Sequence, residues 1–79
     1  MDEARIRLLI LEFLDDECGI DTAELTDEMP LFTSGMLTSL DAIRLLNFIE
    51  LKGGVALQKN QISIGSIDSI SVMAKKFSC

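Results

Sequence analysis

One serine in this chain stands where a hydroxyl can be put to chemical use. Ser39 follows the stretch Leu31-Phe32-Thr33-Ser34-Gly35-Met36-Leu37-Thr38 and opens an amphipathic run that begins Ser39-Leu40-Asp41. Thr38 can cap that run, and with Asp41 three residues on it makes the T-x-x-D form of a capping box. Ser39 then takes the first helical position, beside backbone N–H groups that have no partner within the helix. Free donors and the positive end of the helix dipole attract anions, so a serine here is well placed to carry a phosphate. Taken alone, a serine at a helix start is most often a plain structural residue. Other chemistry is poorly supplied. The chain has no histidine to serve as a base for Ser39 or for either cysteine, and no lysine or carboxylate lies at a spacing that points to one, which argues against a hydrolytic enzyme. Cys18 and Cys79 are too few and too far apart for a zinc site or a disulfide framework. Both read as free thiols of a reducing compartment, with Cys18 at the edge of the core. No catalytic or metal-ligating residue is expected.

The elements that must position Ser39 are drawn from a short chain. Its 79 residues make one domain, and its 48% apolar content is rich in Ile and Leu. The net charge of −6 argues against nucleic acid as a partner, because phosphate neutralisation needs clustered Lys and Arg. The charge is unevenly placed: residues 1–28 hold ten acids and two bases, whereas residues 29–79 hold three acids and five bases. The acidic part reads as a solvated face, or else as a patch for a basic partner enzyme. The apolar run at Leu8 to Leu14 is too short to span a bilayer, and Asp2 and Glu3 carry the wrong charge for a secretory signal. The expectation is a cytoplasmic protein that does not engage membranes.

Ile6, Leu9, Ile10, Phe13 and Leu14 follow the spacing of one buried helical face, which predicts a helix over about residues 2–18 with Gly19 as its stop. Asp15, Asp16 and Glu17 sit at the negative end of that helix, at a cost of a few tenths to about 1 kcal/mol each. They read as solvated acids, with an outside contact or weak divalent-ion binding as the alternative. Residues 20–37 show no period, and a connection this long is expected to carry a function or a helical turn of its own, with Ile20, Leu25, Leu31 and Phe32 as anchors. A second helix is expected over residues 39–52, its apolar face made by Leu40, Ile43, Leu46 and Ile49 with Leu45 and Phe48 widening it, ended by Gly53-Gly54. Val55-Ala56-Leu57 reads as extended, and residues 58–67 as holding one short turn of helix. The last helix starts at Asp68 as N-cap and buries Ile70, Met73, Ala74 and Phe77, with Lys75 and Lys76 in its final turn. The sum is an all-α fold, a small bundle of three or four helices with a long loop between the first two.

At residues 31–40 the sequence LFTSGMLTSL resembles the acyl and peptidyl carrier proteins of fatty-acid, polyketide and nonribosomal peptide assembly, whose stand-alone members commonly read L-F-x-x-G-L-L-D-S-L there. Phe48-Ile49-Glu50, Gly54-Val55-Ala56-Leu57 and Ile67-Asp68-Ser69-Ile70 resemble the family's F-L-E, G-I-x-I and F-D-S-I segments in the same order. The resemblance covers nearly the whole chain. It implies the carrier-type helical bundle, and that Ser39 receives 4′-phosphopantetheine from coenzyme A through a phosphopantetheinyl transferase. Cargo then rides as a thioester, put there by an adenylating enzyme or acyltransferase and passed to downstream acyl-processing enzymes. A monomer is implied as well. Met36, Thr38, Leu40 and Arg44 are the residues expected to meet partner enzymes.

Three departures bear on partner choice. The family's aspartate before the serine is Thr38 here, which can cap the helix but cannot offer a carboxylate to a transferase or its metal. The second helix, strongly acidic in fatty-acid carriers, holds Asp41 and Glu50 but also Arg44 and Lys52. The family's acidic run after the extended stretch is Gln58-Lys59-Asn60-Gln61. Enzymes that dock by basic patches have less to hold, which points to a dedicated carrier of specialised metabolism, with an amino acid among the possible cargoes. The alternative from another class is a small helical adaptor that binds a partner protein and is never modified.

Overall fold

The computed structural model describes residues 2–57 and 62–78. Among them are three α-helices and no strand: α1 (Glu3–Glu12), α2 (Ser39–Gly53) and α3 (Ile70–Phe77). The all-α expectation holds. Met1, Cys79 and the Gln58-Lys59-Asn60-Gln61 run lie outside the described residues.

α1 begins as its sequence dictates, with Asp2 as N-cap accepting the Arg5 N–H at 2.8 Å. Its expected continuation to residue 18 is helical but wider: Phe13–Glu17 forms a π-turn, in which Cys18 N–H donates to the Phe13 carbonyl at 3.2 Å. Gly19 follows with a positive φ of 67°. Asp15, Asp16 and Glu17 are exposed there, and the described residues contain no group of three or more His, Cys, Asp or Glu able to hold a metal ion.

The connection between α1 and α2 is ordered through its anchors. It carries one short 3₁₀ turn, Thr22–Glu24, capped by Asp21. Ile20 and Leu25 pack partly buried against the core, while Leu31, Phe32 and Leu37 are members of it. Asp27 ties the loop outward to two helices. Its carboxylate takes the Arg7 guanidinium at 3.0 Å, and its backbone carbonyl takes the Ser71 N–H at 2.9 Å.

α2 ends at Gly54, whose φ of 66° places it in the left-handed region and whose N–H closes on the Glu50 carbonyl at 3.0 Å. The Glu50 carboxylate then accepts the Leu57 N–H at 2.7 Å, so the helix itself holds the extended stretch that follows it. Val55 and Leu57 pack against the core and Ala56 between them is exposed, as alternation requires. The expected turn within residues 58–67 is a 3₁₀ turn at Ile64–Ser66.

Two sequence expectations need correction. Leu40 and Ile43 are not on the buried face of α2; they are 65% and 55% exposed, and Ala42, Leu45, Leu46 and Ile49 form that face instead. At about 100° per residue, a run of threes slips about 60° at every step, so Leu40 ends half a turn away from Ile49. Asp68 is not the N-cap of α3. Ser69 caps it, accepting the Val72 N–H at 3.2 Å, and Asp68 faces the loop before α2. The buried face of α3 is the expected one: Ile70, Met73, Ala74 and Phe77. Among the described residues, no helix is long and apolar enough to cross a membrane.

Candidate functional site

The start of α2 is built from a reciprocal cap. Thr38 Oγ1 accepts the Asp41 N–H at 3.3 Å, and the Asp41 carboxylate reaches back to accept the Thr38 N–H at 3.0 Å. Thr38 Oγ1–H also donates to Asp41 Oδ2 at 3.2 Å. The other carboxylate oxygen, Oδ1, takes Arg44 at 3.2 Å. These contacts hold the Asp41 carboxyl below its usual range, the Thr38 backbone N–H first among the causes. Each of its oxygens already accepts a hydrogen bond, and none of the hydrogen bonds among the described residues joins the Asp41 carboxylate to the Ser39 hydroxyl.

Ser39 itself is exposed at the first position of α2, and none of the hydrogen bonds among the described residues uses its hydroxyl. The backbone N–H groups of Ser39 and Leu40, two of the four that any helix start leaves over, likewise find no partner among the described residues. Phosphate oxygens are the natural complement to such donors.

Beside Ser39 opens a groove of about 590 Å³. α2 supplies one wall through Ala42, Ile43 and Leu46, and Ile62, Ile64 and Ile67 supply the other. Ile43, misplaced in the core by its spacing, is in fact a groove residue. Ile62 and Ile64 escaped the sequence reading because their segment shows no period. The one signal available was the recurrence of isoleucine at residues 62, 64 and 67 in an otherwise polar stretch.

The residues expected to meet partners fall into two groups. Met36 and Leu40, three residues before Ser39 and one after it, are exposed, so neither belongs to the core. Thr38 is exposed, yet its hydroxyl is committed to the cap. Arg44 lies apart from the groove, on the side of α2 that meets the end of α1. There its guanidinium pairs with Asp41 and lies 5.7 Å from the centre of the Phe13 ring. Phe13 in turn meets Phe48, ring centres 5.5 Å apart at a tilt of 60°. Leu40 and Ile43, with Leu51 at 82% exposure, leave α2 with large aliphatic side chains in solvent. Cys18 is partly buried against the core, and burial, ahead of the nearby Asp41 charge, pushes its thiol up and away from the reactive thiolate form.

Compared with protein-family models, with curated proteins and with solved structures, the chain matches none of them.

Proposed function

We propose that this chain is a discrete acyl or aminoacyl carrier protein with the carrier-type helical bundle, and that Ser39 is the attachment point for a 4′-phosphopantetheine arm. The observation that carries the reading is the state of the Ser39 hydroxyl. It stands in solvent at the first position of α2, behind a cap whose side chains are all engaged with one another. The residue types around it fit the group. A phosphodiester at Ser39 would meet the unpartnered N–H groups of Ser39 and Leu40 and the positive end of α2, a gain of roughly 0.3–1 kcal/mol. When bound, the arm supplies a terminal thiol that holds cargo as a thioester.

The chain's own part in this chemistry is presentation. Ser39 Oγ forms the new bond to phosphorus as the diphosphate bond of coenzyme A breaks and adenosine 3′,5′-bisphosphate leaves. The hydroxyl proton leaves to a base of the transferase, since none of the hydrogen bonds among the described residues joins the Ser39 hydroxyl to a base of this chain. The groove beside Ser39 offers apolar walls to whatever the arm carries. A tether raises the effective concentration of that cargo at a docked enzyme. The reading implies a monomer that works in the cytoplasm, alongside its transferase, a loading enzyme and downstream acyl-processing enzymes.

The test is direct. The apo protein, given coenzyme A, Mg²⁺ and a broad-specificity phosphopantetheinyl transferase, gains the mass of one arm, and Ser39→Ala gains nothing. No gain with any transferase overturns the reading. The exposure of Leu40, Ile43 and Leu51 favours a second reading, the unmodified adaptor. Unmodified protein in its native host, held in a stable stoichiometric complex, would select that one.

A further inference from the structure

We infer that Asp68 is a positioning residue for Ser39: from the entry to α3 it gathers the loop that leads into α2, and so fixes where the Ser39 hydroxyl is presented to a modifying enzyme. Its meaning for modification rests on the carrier reading; the clamp itself rests on geometry.

Asp68 collects three consecutive residues. Its backbone carbonyl accepts the Leu31 N–H at 2.7 Å. Its carboxylate Oδ1 accepts the Phe32 N–H at 2.7 Å and the Thr33 N–H at 3.0 Å, and Oδ2 accepts the Thr33 hydroxyl at 2.6 Å. Bonds to an ionised acceptor are the stronger kind, and the carboxyl is held below its usual range, the Thr33 hydroxyl first among the causes. Residues 29–38 carry no charged side chain of their own, so the negative charge that meets Phe32 and Thr33 comes from Asp68.

From there the constraint runs to Ser39 without a gap. The Leu31 carbonyl accepts the Leu37 N–H at 2.9 Å, closing residues 31–37 on themselves, and the Gly35 N–H closes on Phe32 at 3.0 Å inside that loop. Gly35 makes the reversal at a φ of 86°, which side chains with a Cβ rarely adopt. Leu31 and Leu37 are both buried, and Thr38, the cap of α2, is the next residue. Nor does α3 need the Asp68 side chain for its own start, because Ser69 caps it. The carboxylate can therefore be removed without uncapping either helix.

A loop released from Asp68 would present Ser39 correctly in only a fraction of molecules. The apparent KM of the transferase for the carrier then rises by the inverse of that fraction, while kcat for bound carrier stays as it was. We expect Asp68→Ala to raise KM about tenfold and to change kcat less than about twofold. Asp68→Asn keeps one oxygen for the two backbone donors and should recover most of the loss. Thr33→Val removes only the hydroxyl bond and should fall between the wild type and Asp68→Ala. A purely architectural role predicts something else: a lower Tm with KM unchanged at temperatures where the protein is folded. A KM for Asp68→Ala within twofold of the wild type overturns the inference. Should Asp68→Ala fail to fold, Thr33→Val decides, and a wild-type KM in it overturns the inference. If the wild type accepts no arm from any transferase, the carrier reading fails and amide exchange decides the clamp. Faster exchange at Leu37 and Thr38 in Asp68→Ala, with α1 unchanged, upholds it, and unchanged exchange there overturns it.

Discussion

Two helix starts in this molecule have nearly the same local sequence and opposite fates. α2 opens on Thr38-Ser39-Leu40 and α3 on Asp68-Ser69-Ile70, in each case a capping residue, a serine and an aliphatic. At α2 the first residue caps, the serine is left in solvent and the aliphatic stands exposed. At α3 the cap moves on by one: Ser69 takes it and is itself buried, and Ile70 enters the core. The difference lies in what competes for the residue ahead of the serine. Nothing draws Thr38 away, whereas the Phe32 and Thr33 donors draw Asp68 toward the loop. A serine's availability is thus decided by its neighbour's alternatives and not by the serine.

The aliphatics give the widest predicted contrast. Ile70 is 1% exposed, so Ile70→Ala should cost about 2–5 kcal/mol. Leu40→Ala should stay within about 0.5 kcal/mol, as surface changes do. Urea unfolding measures both, and similar costs would break the comparison. The caps come next. Thr38→Ala and Ser69→Ala should each lower stability by about 1 kcal/mol, while Ser39→Ala should remain within about 0.5 kcal/mol because its hydroxyl caps nothing. A loss at Ser39 equal to that at Ser69 would mean that the two serines do the same work.

The smallest effect is one of pH. Asp41 and Asp68 serve the two starts differently, one through its own cap and the other through the loop, and both carboxyls are held below the ordinary value of about 3.9. Through that window the unfolded chain binds more protons than the folded one. The stabilisation is therefore complete above about pH 4 and is lost as pH falls through the lowered values. Stability measured from pH 6 down to pH 2 should fall less steeply in Asp41→Asn and in Asp68→Asn than in the wild type. Unchanged slopes would remove both carboxylates from the account.

Local rules read the start of α2 well. Thr38, Asp41 and Gly54 each act through partners a few residues away, so the cap, the first helical position of Ser39 and the helix end were all legible in sequence. The buried face was legible only in part, because spacing by threes looks periodic over two turns and drifts over three. Adjacent Asp68 and Ser69 are equally good caps by composition. Only donors 35 and 36 residues away chose between them. The π-turn at Phe13–Glu17 keeps the pattern of an α-helix, so the sequence has no mark for it. The second wall of the groove arises from packing between distant segments, which no local pattern encodes.

The most direct measurement is a fragment map of the protein after treatment with coenzyme A, Mg²⁺ and a phosphopantetheinyl transferase. The account predicts a single arm, carried by the fragment that contains Ser39, with the fragment that contains Ser69 unmodified. An arm on Ser69, or none on either serine, would contradict it.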